Sequence, residues 1–338
     1  MSRFFFLVCA VCLGFAAQPA DASEKNKRAQ GTEQLKQRPA AAQVVRPPIV
    51  QDYDPDPAIW LLQDEDTRIY LFGTIHLLPE GFRWRNPRLD SITAAADELV
   101  VETADESEDE QALAALLGDI EGRTPVSERM SPENGKKWRS MARFAGMKPD
   151  DFDRLPPILA IFGTAMAYYD SATGADHDFG VETTFETEFR AAGKPIGSIE
   201  KGSDVVASLL AIDEAMLIGE LERELAEWDG SDPADWLSSS GPDEAADEDP
   251  LADEHDWARG AEMDMEDEFQ DGTELGPMLA KLLLEDRNAA WSEWLAQRLD
   301  RPGNVLVAVG AAHLAGASSV QNHLLERGLR AERLNPAR

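Results

Sequence analysis

The chain has 338 residues, 43% of them hydrophobic, enough apolar side chain for a substantial core in one large or two small domains. Its net charge of −32 argues against nucleic acid and anionic membrane surfaces as partners, because both repel a polyanion. Acidity of this kind otherwise supports solubility and names no activity.

Residues 1–22 read as a signal peptide. Arg3 supplies a short positive region, residues 4–17 an apolar one, and Ala20-Asp21-Ala22 the small-x-small pattern of a cleavage site. The apolar run is shorter than the roughly 20 residues a spanning helix needs. The leader is therefore expected to be cleaved, leaving a secreted or periplasmic chain with no transmembrane segment. Cys9 and Cys12, the two cysteines, both lie in the leader. Disulfides and thiolate ligands are thus excluded for the mature chain, and a metal would have to be held by nitrogen and oxygen.

Residues 23–51 are rich in Lys, Arg, Gln, Ala and Pro, with the composition of a disordered tether. Residues 52–338 read as a single domain. Two short strands near 57–62 and 68–72 flank a polar turn and predict a hairpin. The second strand runs into Gly73 and, three residues later, His76. A loop with Phe82 and Trp84 follows, then a helix over 87–98 from the spacing of Leu89, Ile92 and Ala96. Residues 99–101 form a buried strand that ends at Glu102. Strand, helix, strand is the βαβ unit of a parallel sheet.

Residues 105–172 read as a large helical insertion, with Ser131 and Pro132 as a helix start. The stretch 158–169 is apolar on nearly all sides, which predicts burial between other helices. A helix over 180–192, a strand over 194–199 ending at Glu200 and an amphipathic helix over 205–228 come next. Residues 229–276 are crowded with acid, have no EF-hand spacing, and read as a solvated, disordered insertion. The helix over 275–299 carries an apolar stripe of Leu283, Leu284, Trp291, Trp294 and Leu295, with Arg287 and Asn288 inside it. A buried Arg needs a carboxylate partner or a ligand. The strand 305–309 then repeats the first motif, with Gly310 followed by His313, and a helix over 318–327 and an edge strand over 329–334 complete the chain.

His76, Glu102, Glu200 and His313 all stand at carboxyl ends of strands, where open parallel sheets bind ligands. Two imidazoles and a carboxylate are a sufficient donor set for a catalytic divalent metal, which would lower the pKa of bound water. The other glutamate then serves as base. The metal-free alternative is a histidine base oriented by a carboxylate. Gly174 to His177 repeats the spacing without a preceding strand and is read as chance; His255 and His323 are read as incidental.

The two Gly-x-x-His motifs, the segment 96–102, the Gly180-Val181-Glu182 helix start and the segment 286–291 resemble the TraB/PrgY/GumN family across most of residues 58–334. The resemblance implies an α/β fold related to erythromycin-esterase-like and ChaN-like proteins. It implies metal ligation by His76, His313 and Glu102, with an ion of Mn, Co or Zn type. Glu200 and Arg287 match recurrent positions. Two departures stand out: Glu182 where the family usually has Asp, and the length of the acidic insertion. The expected function is an exported metal-dependent hydrolase acting on peptides or another small substrate. Glu200 and Arg287 would be catalytic, with Arg287 and Asn288 contacting substrate. The alternative is a non-catalytic binding protein for a peptide, haem or a polysaccharide precursor.

Overall fold

A computed structural model describes residues 49–104, 107–118, 122–143, 145–230, 249–265, 269 and 273–334. The expected leader and most of the expected tether lie outside the described residues. The expected hairpin is Ile59–Gln63 (β1) and Thr67–Thr74 (β2), antiparallel, with Ile59 opposite Phe72. Asp64 closes its turn by accepting from the Asp66 and Thr67 amides at 3.2 and 2.9 Å. Past Leu78–Pro79 (β3), Asn86 caps the helix Pro87–Ala95 (α1), accepting from the Leu89 amide at 2.9 Å. Glu98–Val101 (β4) follows.

The helical stretch contains Ser107–Leu117 (α2), Pro132–Ser140 (α3), Pro149–Phe152 (α4) and Pro157–Thr173 (α5). Ile158, Ile161, Phe162 and Ala165 of α5 are buried against Trp138, Phe152, Leu217 and Leu221, as its all-round apolarity predicts. Ala175–Asp176 (β5) pairs with β3; Val181–Ala192 (α6) and Ile196–Ser198 (β6) follow. The helix expected over 205–228 is two helices, Gly202–Leu210 (α7) and Glu214–Glu227 (α8). Asp213 accounts for the break: its carboxylate accepts from the Ala215 amide at 2.8 Å and restarts the helix.

Residues 231–248 of the acid-rich segment lie outside the described residues. Its later part is core: Ala252–Ala258 (α9) buries Glu254, His255, Trp257 and Ala258. The solvated insertion expected over 229–276 is therefore narrower than composition suggests, because four side chains of α9 find partners elsewhere in the fold. The next helix is Leu275–Ala280 (α10), a π-turn at Lys281–Glu285, and Asp286–Arg298 (α11). Gly303–Gly310 (β7), Val320–Glu326 (α12) and Glu332–Arg333 (β8) close the chain.

The main sheet has the order β6-β4-β7-β2-β1-β8. Its first four strands are parallel, and β1 and β8 form an antiparallel edge. β7 lies between β2 and β4, so the crossover through α1 passes over a strand position that the last long strand of the chain fills. Val305 to Val309 are all buried, which suits a central strand apolar on both faces. Phe72, Leu89, Phe185, Trp257 and Leu306 cover one face; Ile69, Leu71, Trp291, Leu295 and Val307 cover the other. No helix among the described residues is long and apolar enough to cross a membrane.

Candidate active site

Thr74 pairs with Gly310 at the shared end of β2 and β7, so the two Gly-x-x-His turns leave the sheet side by side. They touch: a Cβ on Gly73 would lie 2.9 Å from Ala311 Cα, closer than real Cβ contacts come. At the neighbouring strand ends the Glu200 amide donates to the Glu102 carbonyl at 3.1 Å. The four strand-end residues named from the sequence are thus brought to one end of the sheet.

His76 is 6% exposed, with its Nδ1 2.9 Å from Glu182 Oε1. Glu182 sits in the first turn of α6 and also accepts from the Thr74 hydroxyl. Gly180 permits this approach, since a Cβ there would collide with the His76 carbonyl oxygen, while the Val181 amide donates to the Ile75 carbonyl at 3.1 Å. Burial disfavours a charged His76, but the Glu182 carboxylate, with Glu102 behind it, outweighs burial and raises the imidazole to about 9. Glu182 is correspondingly held low: burial opposes its charge, and His76 and Thr74 overcome that. His76 Nε2 and Glu182 Oε2 are buried and have no hydrogen-bond partner among the described residues.

His313 is 0% exposed and is oriented by an amide. Its Nδ1 lies 2.6 Å from Asn288 Oδ1, and Asn288 Nδ2 donates to the Ser318 carbonyl at 2.9 Å. An acceptor opposite Nδ1 places the proton there, so Nε2 carries the lone pair. That Nε2 is buried without a hydrogen-bond partner among the described residues; Glu102 Oε1, at 3.8 Å, is too far to be one. The Trp291 ring lies over the imidazole with centroids 4.1 Å apart. Burial, then the positive charges of Arg287 and His76, hold His313 well below the ordinary histidine value.

Arg287 joins the two strand-end glutamates. Nη2 donates to Glu102 Oε2 at 2.5 Å, Nε to Glu200 Oε1 and Oε2 at 2.9 and 3.1 Å, and Nη1 to the Leu283 carbonyl at 3.1 Å. Its guanidinium carbon stands 4.9 Å from the centroid of Trp291, whose Nε1 donates to Glu200 Oε2 at 3.0 Å. Burial pushes Glu200 up, with Glu102 beside it, against the pull of Arg287. Glu102 Oε1 also accepts from the Gly310 amide at 2.7 Å, tying β4 to the second motif.

The Arg on the apolar stripe thus meets its requirement with carboxylates. Asn288, expected to contact substrate, instead lies behind His313, fully buried with both ends of its amide engaged. Glu182 and Thr74 were not expected as site residues. The available signal was Gly180-Val181-Glu182 at a helix start, where the chain departs from the family pattern. His177 has a separate partner, the Thr183 hydroxyl at 3.1 Å. His255, read as incidental to the site, is buried away from it with Nδ1 2.6 Å from the Tyr53 hydroxyl.

Among the described residues, no group of three or more His, Asp or Glu is arranged to hold a metal ion. The donor chemistry fits in part. The lone pair of His313 Nε2 and the bare Glu182 Oε2 suit a divalent cation; His76 Nε2 would first have to give up the proton it carries at pH 7, and each oxygen of Glu102 already accepts a hydrogen bond.

Neither curated proteins nor solved structures give a significant match. The family model for TraB/PrgY/gumN matches residues 58–333, a span that begins one residue before β1, ends on β8 and holds every residue of the site just described. The chain therefore belongs to the TraB/PrgY/gumN family.

Proposed function

We propose that the chain is an exported hydrolase, acting on peptide bonds, whose working groups are the paired imidazoles of His76 and His313. One observation carries this reading. Each ring is fixed from behind at Nδ1, by Glu182 or Asn288, and keeps a buried Nε2 with no hydrogen-bond partner among the described residues. Imidazoles are presented in this way as metal ligands and as general bases. A divalent ion of Mn, Co or Zn type would take the two Nε2 atoms, displacing the proton that His76 otherwise carries at pH 7, with Glu182 or Glu102 supplying oxygen. Bound there, it would polarise a carbonyl and lower the pKa of water. Arg287 holds Glu102 and Glu200 in fixed positions, and burial pushes Glu200 up, the direction that makes a carboxylate a stronger proton acceptor. Export rests on the leader at residues 1–22.

A second reading, acid–base hydrolysis without metal, is favoured by the opposite states of the rings. His76 is charged and His313 neutral at pH 7, which is the division of labour that paired catalytic groups require. Both readings are tested on mature protein purified without a histidine tag. Metal content is measured by mass spectrometry, and turnover is followed on a peptide library. The double variant His76→Ala/His313→Ala is expected to lose bound metal and at least on the order of 100-fold in turnover. Turnover that survives exhaustive chelation but not the double substitution selects the metal-free reading. No turnover, with a retained peptide, haem or saccharide ligand that the double variant cannot hold, selects a binding protein. A double variant that matches wild type in both respects sinks all three.

A further inference from the structure

α9 belongs to the acid-rich segment, yet three of its residues reach three different parts of the fold. Glu254 Oε1 lies 2.5 Å from the Tyr169 hydroxyl on α5. His255 Nδ1 lies 2.6 Å from the Tyr53 hydroxyl, and its Nε2 3.5 Å from Asp249. Trp257 Nε1 donates to the Gly73 carbonyl oxygen at 3.0 Å. The last bond reaches the site, because Gly73 stands three residues before His76 and its backbone abuts the Ala311 turn that leads to His313. The Trp257 ring is seated by Phe72 and Trp84, with centroids 6.1 and 6.4 Å away.

Glu254 and Trp257 are three residues apart on one helix, so they share a face and move together. Glu254 is buried. The groups facing it are the Tyr169 hydroxyl from α5, Asp253 beside it and Asp249 ahead of the helix; its neighbour His255 engages Tyr53 and Asp249. Burial pushes the Glu254 carboxyl up to about 7, with the two aspartates adding and the Tyr169 hydrogen bond opposing.

We propose that α9 is a proton-sensitive latch: with Glu254 neutral it docks, and Trp257 then positions the turn from Gly73 to His76, while ionised Glu254 loosens both. The relevance to catalysis rests on His76 and His313 being the working groups, but the latch itself is testable without turnover. Its direction follows from linkage. The docked carboxyl holds its proton up to about 7, whereas an ordinary one loses it near 4.5. Docking therefore weakens as pH rises through that window and stays weaker above it.

Hydrogen exchange on the full chain at pH 5 and pH 8, corrected for intrinsic rates, reads the latch directly. In wild type, protection of residues 252–258 and 73–78 should fall together by on the order of 100-fold at the higher pH, while 303–310 stays constant. Glu254→Gln should keep 252–258 protected at both values and, with His76 and His313 replaced by Ala so that His76 no longer titrates, 73–78 as well. Trp257→Phe, which removes only the donor, should leave α9 docked and lower protection of 73–78 by about 10-fold at either pH. Wild-type α9 protection that is equal at pH 5 and pH 8 overturns the proposal, as does Trp257→Phe leaving 73–78 unchanged. Should Trp257→Phe fail to fold, Glu254→Gln in the double histidine background decides: it must abolish the pH dependence of both segments, and an effect confined to α9 refutes the link. The double histidine variant should retain the pH-dependent exchange, so failure of the hydrolase reading and failure of the latch remain separable.

Discussion

The two Gly-x-x-His turns leave neighbouring strands in the same register, yet their imidazoles are in opposite states. Both are buried, both are fixed at Nδ1, and both feel Arg287. They differ in what stands behind the ring. A carboxylate on α6 faces His76, and an amide on α11 faces His313. A repeated backbone motif therefore sets where a histidine sits, while one side chain from an unrelated helix sets what it can do. The carboxylate makes a charged ring tolerable inside the protein; the amide leaves burial unopposed.

The comparison is broken most severely at the residue the two halves share. Arg287→Met keeps much of the side-chain length and removes the charge, leaving Glu102 and Glu200 buried without their counter-ion. Loss of one partner of a buried pair costs about 3–5 kcal/mol. Chemical denaturation should show destabilisation of that size at pH 7, with part of it recovered at acid pH as Glu200 protonates. A loss below about 1 kcal/mol would mean that solvent reaches the cluster and that its electrostatic account is wrong.

Glu182→Gln should turn His76 into a second His313. The His76 value of about 9 lies above the ordinary 6.5, so its stabilisation is complete below about 6.5 and disappears as pH rises through 9. Glu182 itself, held low, contributes above its ordinary range and loses that contribution only in acid. Removing the carboxylate should flatten the stability profile between pH 6.5 and 9, a loss of about 3 kcal/mol at pH 6.5. The variant's imidazole should titrate below 6.5 by nuclear magnetic resonance. A His76 resonance that still titrates near 9 would exclude Glu182 as the cause.

Local pattern revealed some of these features and was blind to others. Apolar runs and turn residues located the strands that carry His76, Glu102, Glu200 and His313, because strand burial writes itself into adjacent residues. The stripe around Arg287 likewise demanded a buried partner. Sheet order was not legible: nothing near residues 303–310 says that they insert between β2 and β4, since that choice is made by packing across more than 200 residues. Glu182, and the role of Asn288 behind His313, escaped for the same reason. A Glu in a first helical turn ordinarily serves the helix dipole, and only the approach permitted by Gly180 turns it onto His76. Trp257 was concealed by its acidic surroundings, which describe a solvated segment until its indole is found on the Gly73 carbonyl.

The reverse exchange, Asn288→Asp, makes the smallest and most specific change. Aspartate has nearly the same shape and keeps an acceptor opposite His313 Nδ1, but it cannot donate to the Ser318 carbonyl. The lost hydrogen bond costs about 1 kcal/mol. The new charge acts in the opposite direction on the ring: a carboxylate at hydrogen-bond distance raises an imidazole by about 1–3 units. His313 should therefore move up towards the ordinary histidine value while His76, feeling a more fully charged neighbour, moves down. The measurement is a paired imidazole titration by nuclear magnetic resonance, read alongside thermal stability. If His313 rises and His76 falls, the residue behind each ring is what distinguishes the two motifs, and a catalytic His313 would lose rate in proportion to its protonated fraction at pH 7. If neither ring moves, the group behind His313 orients that ring without tuning it, and the contrast rests on Glu182 alone.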